Sequence, residues 1–172
     1  MEEFSDLSLR PLCISDVDDF MVWASDEKVT QFCSYGPYTT KQQGIDYITN
    51  KVEPHPWFMA ICLNNKPIGA VSVSKNSGDE ICRGELGYVV GSEYWGKGIA
   101  TWAVRKVANT IFKEWPELER LEALTEVENV GSQKVLEKVG FVREGVLRKY
   151  WILKGTTRDA VIFSLLSTDP VL

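Results

Sequence analysis

Three observations predict a mixed α/β fold. Strand-like apolar runs recur along the whole chain. Between them stand runs whose apolar residues repeat at helical spacing. One strand-like run passes through a glycine-rich turn straight into the longest helical run. At 172 residues, with 44% hydrophobic and 25% charged residues, the chain can build a full hydrophobic core. No repeat, linker or low-complexity segment divides it, so residues 1–172 are expected to form a single domain.

Each element has its own reason. Leu7 to Leu12 alternates as a half-buried strand does, and Pro11, lacking an N–H for a ladder, marks an edge or end. Ser15-Asp16-Val17-Asp18 starts a helix through Phe20, Val22 and Trp23. Gln31 to Pro37 reads as an irregular, aromatic-bearing loop. Gln31, Phe32, Tyr35 and Tyr38 either line a slot for a ligand or pack the first helices. Thr40-Lys41-Gln42-Gln43 has the form of a capping box and opens a helix to about Lys51. Pro54-His55-Pro56 ends that region, with His55 as a turn residue. Trp57–Leu63 and Ile68–Ser74 form a hairpin about the turn Asn64-Asn65-Lys66-Pro67, and Arg83–Val90 is the next strand. The helix from Thr101 to Trp115 buries Ala103, Val104, Val107, Ala108, Ile111 and Phe112, and Trp102 reads as a further core residue or, alternatively, as a ring packed over a bound ligand. Leu121–Val127 is a strand and Asn129 caps a helix that stops at Gly140. Phe141–Leu153 and Arg158–Leu166 close the chain as a hairpin around Lys154-Gly155-Thr156.

The junction from Gly91 to Ala100 carries the function. It follows Glu85-Leu86-Gly87-Tyr88-Val89-Val90 and reads Ser92-Glu93-Tyr94-Trp95-Gly96-Lys97-Gly98-Ile99 before the helix begins. Such a turn aims several backbone N–H groups and the positive end of a helix dipole at one point, which suits a phosphate or pyrophosphate. Gly96 and Gly98 let the backbone approach the anion with no Cβ in the way. Gly91 to Gly98 also comes close to the nucleotide P-loop, G-x-x-x-x-G-K-[ST]. Gly98, however, stands where the magnesium-binding hydroxyl belongs, and no later apolar strand ends in an Asp that could hold the metal.

The same loop resembles the pyrophosphate loop of the GNAT superfamily of N-acetyltransferases, [QR]-x-x-G-x-[GA]. Gly98 and Ala100 match its last two fixed positions, and Trp95 stands where Gln or Arg is usual. Asn129 to Phe141 resembles the family's second block, N-x-x-[SA]-x-x-x-x-x-K-x-G-F, through Asn129, Ser132, Lys138, Gly140 and Phe141. The Trp-Gly-Lys-Gly form of the loop is similar to the branch that acetylates ribosomal-protein N-termini (RimJ/RimL-like). The resemblance covers roughly residues 7–167. It implies a central, mostly antiparallel sheet splayed between its fourth and fifth strands, with helices on both faces.

The resemblance implies acetyl-CoA as acetyl donor. Its pyrophosphate would be held by the amides of Trp95, Gly96, Lys97, Gly98, Ile99, Ala100 and Thr101, and its pantetheine by the backbone of Val89 and Val90. Asn129 contacts the coenzyme as well as capping. The family's usual tyrosine position is Leu136 here, and Ser132, which resembles the serine of the ribosomal branch, would hydrogen-bond the departing sulfur. Glu85, on the strand leading into the loop, is the first candidate base, with Glu126 and Glu128 as rivals; alternatively Glu85 points to solvent or pairs with Arg83. In the ribosomal branch an acid sits in the closing hairpin, and the position that aligns with it is Trp151.

The reading is therefore an acetyl-CoA-dependent N-acetyltransferase acting on a primary amine by direct transfer in a ternary complex. No Cys–His pair is visible for an acyl-enzyme. A peptide or protein N-terminus is the first acceptor by resemblance. A small amine, such as a polyamine or amino-acid derivative, is the alternative within the class, and a non-catalytic acetyl-CoA-binding module the alternative outside it. A net charge of −5 speaks against a general nucleic-acid partner and suits a basic acceptor. Cys13, Cys33, Cys62 and Cys82 show no zinc spacing or disulfide framework. The acidic start has no signal-peptide pattern and no apolar run has the length of a membrane span, so the expectation is a cytoplasmic protein with no membrane partner.

Overall fold

Asn64 and Asn65 both take left-handed backbone angles, φ 50° and 64°, which makes a tight two-residue turn matched to the twist of the flanking strands. The turn is shorter than the expected four residues: Lys66 already pairs with Leu63, and Pro67 sits opposite Cys62. A bulge between Ile61 and Cys62 lets a proline without an N–H enter the ladder there.

The structure is a computed structural model describing residues 4–172. Its strands are β1 (Leu7–Pro11), β2 (Phe58–Leu63), β3 (Lys66–Lys75), β4 (Arg83–Val90), β5 (Arg120–Glu126), β6 (Val142–Leu153) and β7 (Thr156–Leu166). They hydrogen-bond in the order β1-β2-β3-β4-β5-β7-β6. The pairs β1–β2, β2–β3, β5–β7 and β6–β7 are antiparallel. Gly69 faces Val89 and Gly84 faces Ser74, so β3 and β4 also run in opposite directions. At Gly69 a Cβ would come within 2.3 Å of the Val89 carbonyl oxygen, so only glycine permits that approach. The parallel pair is β4–β5. It runs from Arg83↔Arg120 to Glu85↔Glu122 and stops, while β5 stays paired with β7 as far as Glu126. The expected interruption between the fourth and fifth strands is thus present.

The chain forms two compact units, one of residues up to Ser72 with Tyr88–Ile99, the other of Val73–Gly87 with Ala100–Leu172. In the first, α1 (Val17–Ala24) buries Val17, Phe20, Trp23 and Ala24 along one face. Burying a side chain such as Phe20 contributes roughly 2 kcal/mol. Its ring stacks on Tyr47 at 5.2 Å and meets Trp23 edge-on at 5.3 Å. Tyr35 lies 4.7 Å from Tyr47 and 5.6 Å from Tyr38. Of the two readings of this segment, Tyr35 and Tyr38 follow the second: they pack the helices. Asp26 caps an unexpected one-turn helix, α2 (Glu27–Thr30), by accepting the Lys28 N–H. The capping box of α3 (Lys41–Tyr47) forms as expected, and a π-helical turn, Ile48–Val52, extends it.

In the second unit α4 (Ile99–Glu114) buries Ala103, Val104, Val107, Ala108 and Ile111. Phe112 is only half-buried. Trp102 is also half-buried, under the ammonium of Lys106 at 5.9 Å, and so flanks the helix rather than filling the core. The helix α5 (Val130–Val139) ends at Gly140, φ 106°, as its sequence implies. Lys154 and Gly155, φ 48° and 78°, turn β6 into β7.

Candidate active site

The loop after β4 is built by local bonds. The Gly91 N–H donates to Ile68 O at 2.8 Å, and Ser92–Tyr94 form one 3-10 turn. The Trp95 indole N–H folds back to donate to Val90 O at 2.7 Å. Ser92 Oγ donates to Asp26 Oδ2 at 2.5 Å. This tie from the loop to the N-cap of α2 escaped the sequence reading; Asp26 ahead of Glu27-Lys28 was its one visible signal.

Gly96 and Gly98 are both left-handed, φ 76° and 78°. Two left-handed positions one residue apart let the loop backbone turn tightly ahead of the next helix. The exposed stretch Trp95–Gly98 then runs into α4, whose first turn carries no acidic residue to compete with an anion. A Cβ at Gly96 would meet open space, and one at Gly98 would come within 3.3 Å of the Phe4 ring. Lys97 Nζ lies 5.3 Å from the Tyr94 ring centre. Ile99 is buried and anchors the helix start; Ala100 and Thr101 are half-buried beside it. Val89 and Val90 close β4, with the Val89 side chain packed against the first unit's core and Val90 buried. The exposed backbone and the open space at Gly96 leave room for a pyrophosphate, in keeping with the motif.

Asn129 and Ser132 are brought together at the head of α5, where Asn129 Oδ1 accepts the Ser132 N–H at 3.2 Å. Ser132 is half-buried. Leu136, one turn on, is fully buried and presents no polar group.

Three carboxylates matter on the second unit's sheet. Glu85 stands opposite Glu122 in the parallel pair. Although it keeps contact with solvent, its surroundings remove enough water to raise its pKa, and the like charge of Glu122 adds to the rise. The alternative pairing with Arg83 is not adopted. Arg83 bonds Glu80 at 2.7 Å and Glu122 at 3.3 Å. Arg120 holds Glu122 at 2.7 Å and Glu144 at 2.5 Å. Glu126 is 5% exposed, and burial raises its pKa against the lowering effect of Arg158. Glu126 Oε1, Arg158 Nε and Trp151 Nε1 are buried with no hydrogen-bond partner among the described residues. Sequence reasoning left Glu126 as a rival and passed over Arg158 entirely.

A mostly antiparallel sheet with the short parallel pair β4–β5, followed by an exposed glycine turn at the head of a long helix, defines a class: acyltransferases of the GNAT fold. Comparison with known proteins agrees. The acetyltransferase (GNAT) domain model matches residues 6–142. An uncharacterized N-acetyltransferase p20 of Bacillus licheniformis is 32% identical over 169 residues, 95% of this chain and 94% of its own. A GNAT-family acetyltransferase structure from Bacillus anthracis superposes with a TM-score of 0.83 at 24% identity, covering 94% of this chain and 95% of its own. The ribosomal-protein-S5-alanine acetyltransferase of Vibrio fischeri has a TM-score of 0.75 at 26% identity, covering 96% and 95%. The chain belongs to the GNAT acetyltransferase family and is an N-acetyltransferase.

Proposed function

We propose that this protein transfers the acetyl group of acetyl-CoA directly to a primary amine, first the α-amine of a peptide or protein N-terminus. The observation that carries the reading is the left-handed pair Gly96 and Gly98 at the head of α4, directly after the strand β4 whose pairing with β5 ends at Glu85. Acetyl-CoA supplies a thioester carbonyl and a thiolate leaving group.

The amides of Trp95 to Thr101 hold the pyrophosphate, and the backbone of Val89 and Val90 holds the pantetheine. Asn129 fixes the first turn of α5 and contacts the coenzyme. The attacking nitrogen forms the new C–N bond as the C–S bond breaks. It gives up a proton that passes through solvent to Glu85, whose raised pKa brings it nearer neutrality. The Ser132 hydroxyl donates to the departing sulfur. The preference for a peptide acceptor is supported by the likeness to the S5-alanine enzyme. The small-amine reading is the second because the chain departs from the ribosomal branch at Trp151, where that branch places an acid.

The test is CoA release from acetyl-CoA with two panels, peptides of varied N-terminal residue and small amines including polyamines. Turnover with peptides alone upholds the first reading, and turnover with small amines alone replaces it by the second. Acetyl-CoA binding without release from any amine would overturn catalysis.

A further inference from the structure

Glu126, Arg158 and Trp151 come from three neighbouring strands and share one face of the second unit's sheet. Glu126 is the register partner of Ala160, and Trp151 that of Arg158. Arg158 and Ala160 are two apart on β7, so all four side chains project to the same side. Each of the three polar residues keeps one buried nitrogen or oxygen without a hydrogen-bond partner among the described residues. Leaving such atoms unpaired is costly, and native interiors rarely do so without a use.

The surroundings hold these side chains in place. The Asn129 N–H donates to Glu126 O at 3.0 Å, and the Gln133 side chain donates to Glu126 O at 3.1 Å and Val127 O at 3.0 Å. The end of β5 is therefore fixed while its carboxyl oxygen stays unmet. On β6 the register shifts between Leu147 and Trp151, with Lys149 left-handed at φ 51°. Asp159, pointing to the opposite face of β7, accepts the Lys149 N–H at 2.7 Å and pins that bulge. A pinned bulge re-aims the strand beyond it, and here pairing resumes at Trp151 opposite Arg158. Trp151 and Arg158 are half-buried, so the cluster reaches the surface on their side.

We propose that Glu126, Arg158 and Trp151 form the acceptor subsite and recognise an amine adjacent to a carbonyl oxygen, the α-aminoacyl group. This rests on the acetyltransferase reading above and narrows its acceptor. Glu126 Oε1 can only accept a hydrogen bond unless protonated, whereas Arg158 Nε and Trp151 Nε1 can only donate. An α-aminoacyl group offers N–H donors and a carbonyl oxygen acceptor three bonds from the nitrogen and satisfies both kinds. A polyamine in its charged form offers donors alone and leaves both N–H groups unpaired. Glu126 orients the amine, and Trp151 and Arg158 orient the carbonyl.

The experiment is calorimetric titration of the CoA-saturated protein with alanyl-alanine amide, with sec-butylamine, which lacks the carbonyl, and with spermidine. Wild type should bind the peptide amide about tenfold or more tightly than either amine, since a site built for a hydrogen bond rejects the analogue lacking it. Trp151→Phe should remove that preference, and Glu126→Gln should weaken all three ligands, with the affinity for acetyl-CoA unchanged in both as a check on folding. Equal affinity for peptide amide and sec-butylamine, tighter binding of spermidine, or no binding of any of them would overturn the proposal. The wild-type comparison decides this even if a variant fails to fold. Failure of the acetyltransferase reading shows separately, as no CoA release from acetyl-CoA with any amine.

Discussion

Ser92 donates to Asp26, and the same carboxylate caps α2 through the Lys28 N–H at 2.9 Å. One side chain therefore serves a helix start and the turn that precedes the glycine loop. Asp26→Ala should lower stability by about 1 kcal/mol through the lost cap and raise the KM for acetyl-CoA. Ser92→Ala should raise that KM while sparing the cap. Thermal melts and initial rates of both variants separate the two roles; equal melting losses would show that the Ser92 bond is structural only.

Gly98 demands a residue tolerant of φ 78°. Gly98→Ala should cost about 1–2 kcal/mol of loop strain and weaken acetyl-CoA accordingly. Gly98→Glu adds a charge beside the pyrophosphate and should abolish binding, as should an acid at Ala100. Titration calorimetry measures both, and unchanged affinity in Gly98→Glu would move the coenzyme site elsewhere.

Glu85 is raised by desolvation first and by Glu122 second. As a base it acts only when ionised, so kcat/KM should fall as pH drops through that raised value. Glu85→Gln should lower kcat about 100-fold or more and flatten this acid limb. A pH–rate profile that keeps the limb in the variant would assign the base to another group.

Ser132→Ala should slow turnover and leave the acetyl-CoA Kd nearly unchanged, because in the proposed mechanism the hydroxyl acts on the sulfur only as it departs. Asn129→Ala removes the acceptor of the Ser132 N–H and should cost about 1 kcal/mol of stability in addition to any loss of rate. Stopped-flow binding alongside steady-state rates tells them apart.

Arg120 pulls the Glu144 carboxyl down from its ordinary 4.5 to about 2, with the Ser164 hydroxyl adding to the effect. A folded-state pKa below the unfolded one contributes stability above the ordinary value, lost as pH falls toward the lower one. Melting of Glu144→Gln against wild type should differ by a constant amount from about pH 6 upward, and the difference should vanish on approach to pH 2. The pair is partly exposed, so its whole contribution is about 1 kcal/mol or less.

Much of the fold was legible because periodicity and capping are local. The stripe Ala103, Val104, Val107, Ala108 and Ile111, the Thr40–Gln43 box and the Gly140 stop all lie within a few residues of the features that reveal them. The helix α2, at four residues, is too short to show a period. Trp102 looked like core because apolar type was visible, while the lysine one turn on that covers it counted only as a charge. At the site, the glycine turn and the Asn129–Ser132 block could be read directly, since their chemistry depends on adjacent backbone.

The sequence by itself determined the class, the glycine turn before α4 and the order of elements, because each rests on contacts between near neighbours. Only the tertiary structure decided which carboxylates matter. Glu85 meets Glu122, and Glu126 shares a face with Arg158 and Trp151, through strand register. Register depends on long-range pairing and on a bulge at Lys149, neither of which a local pattern records. Burial and charge then set the protonation of those groups, and both are properties of the folded surroundings rather than of the residue.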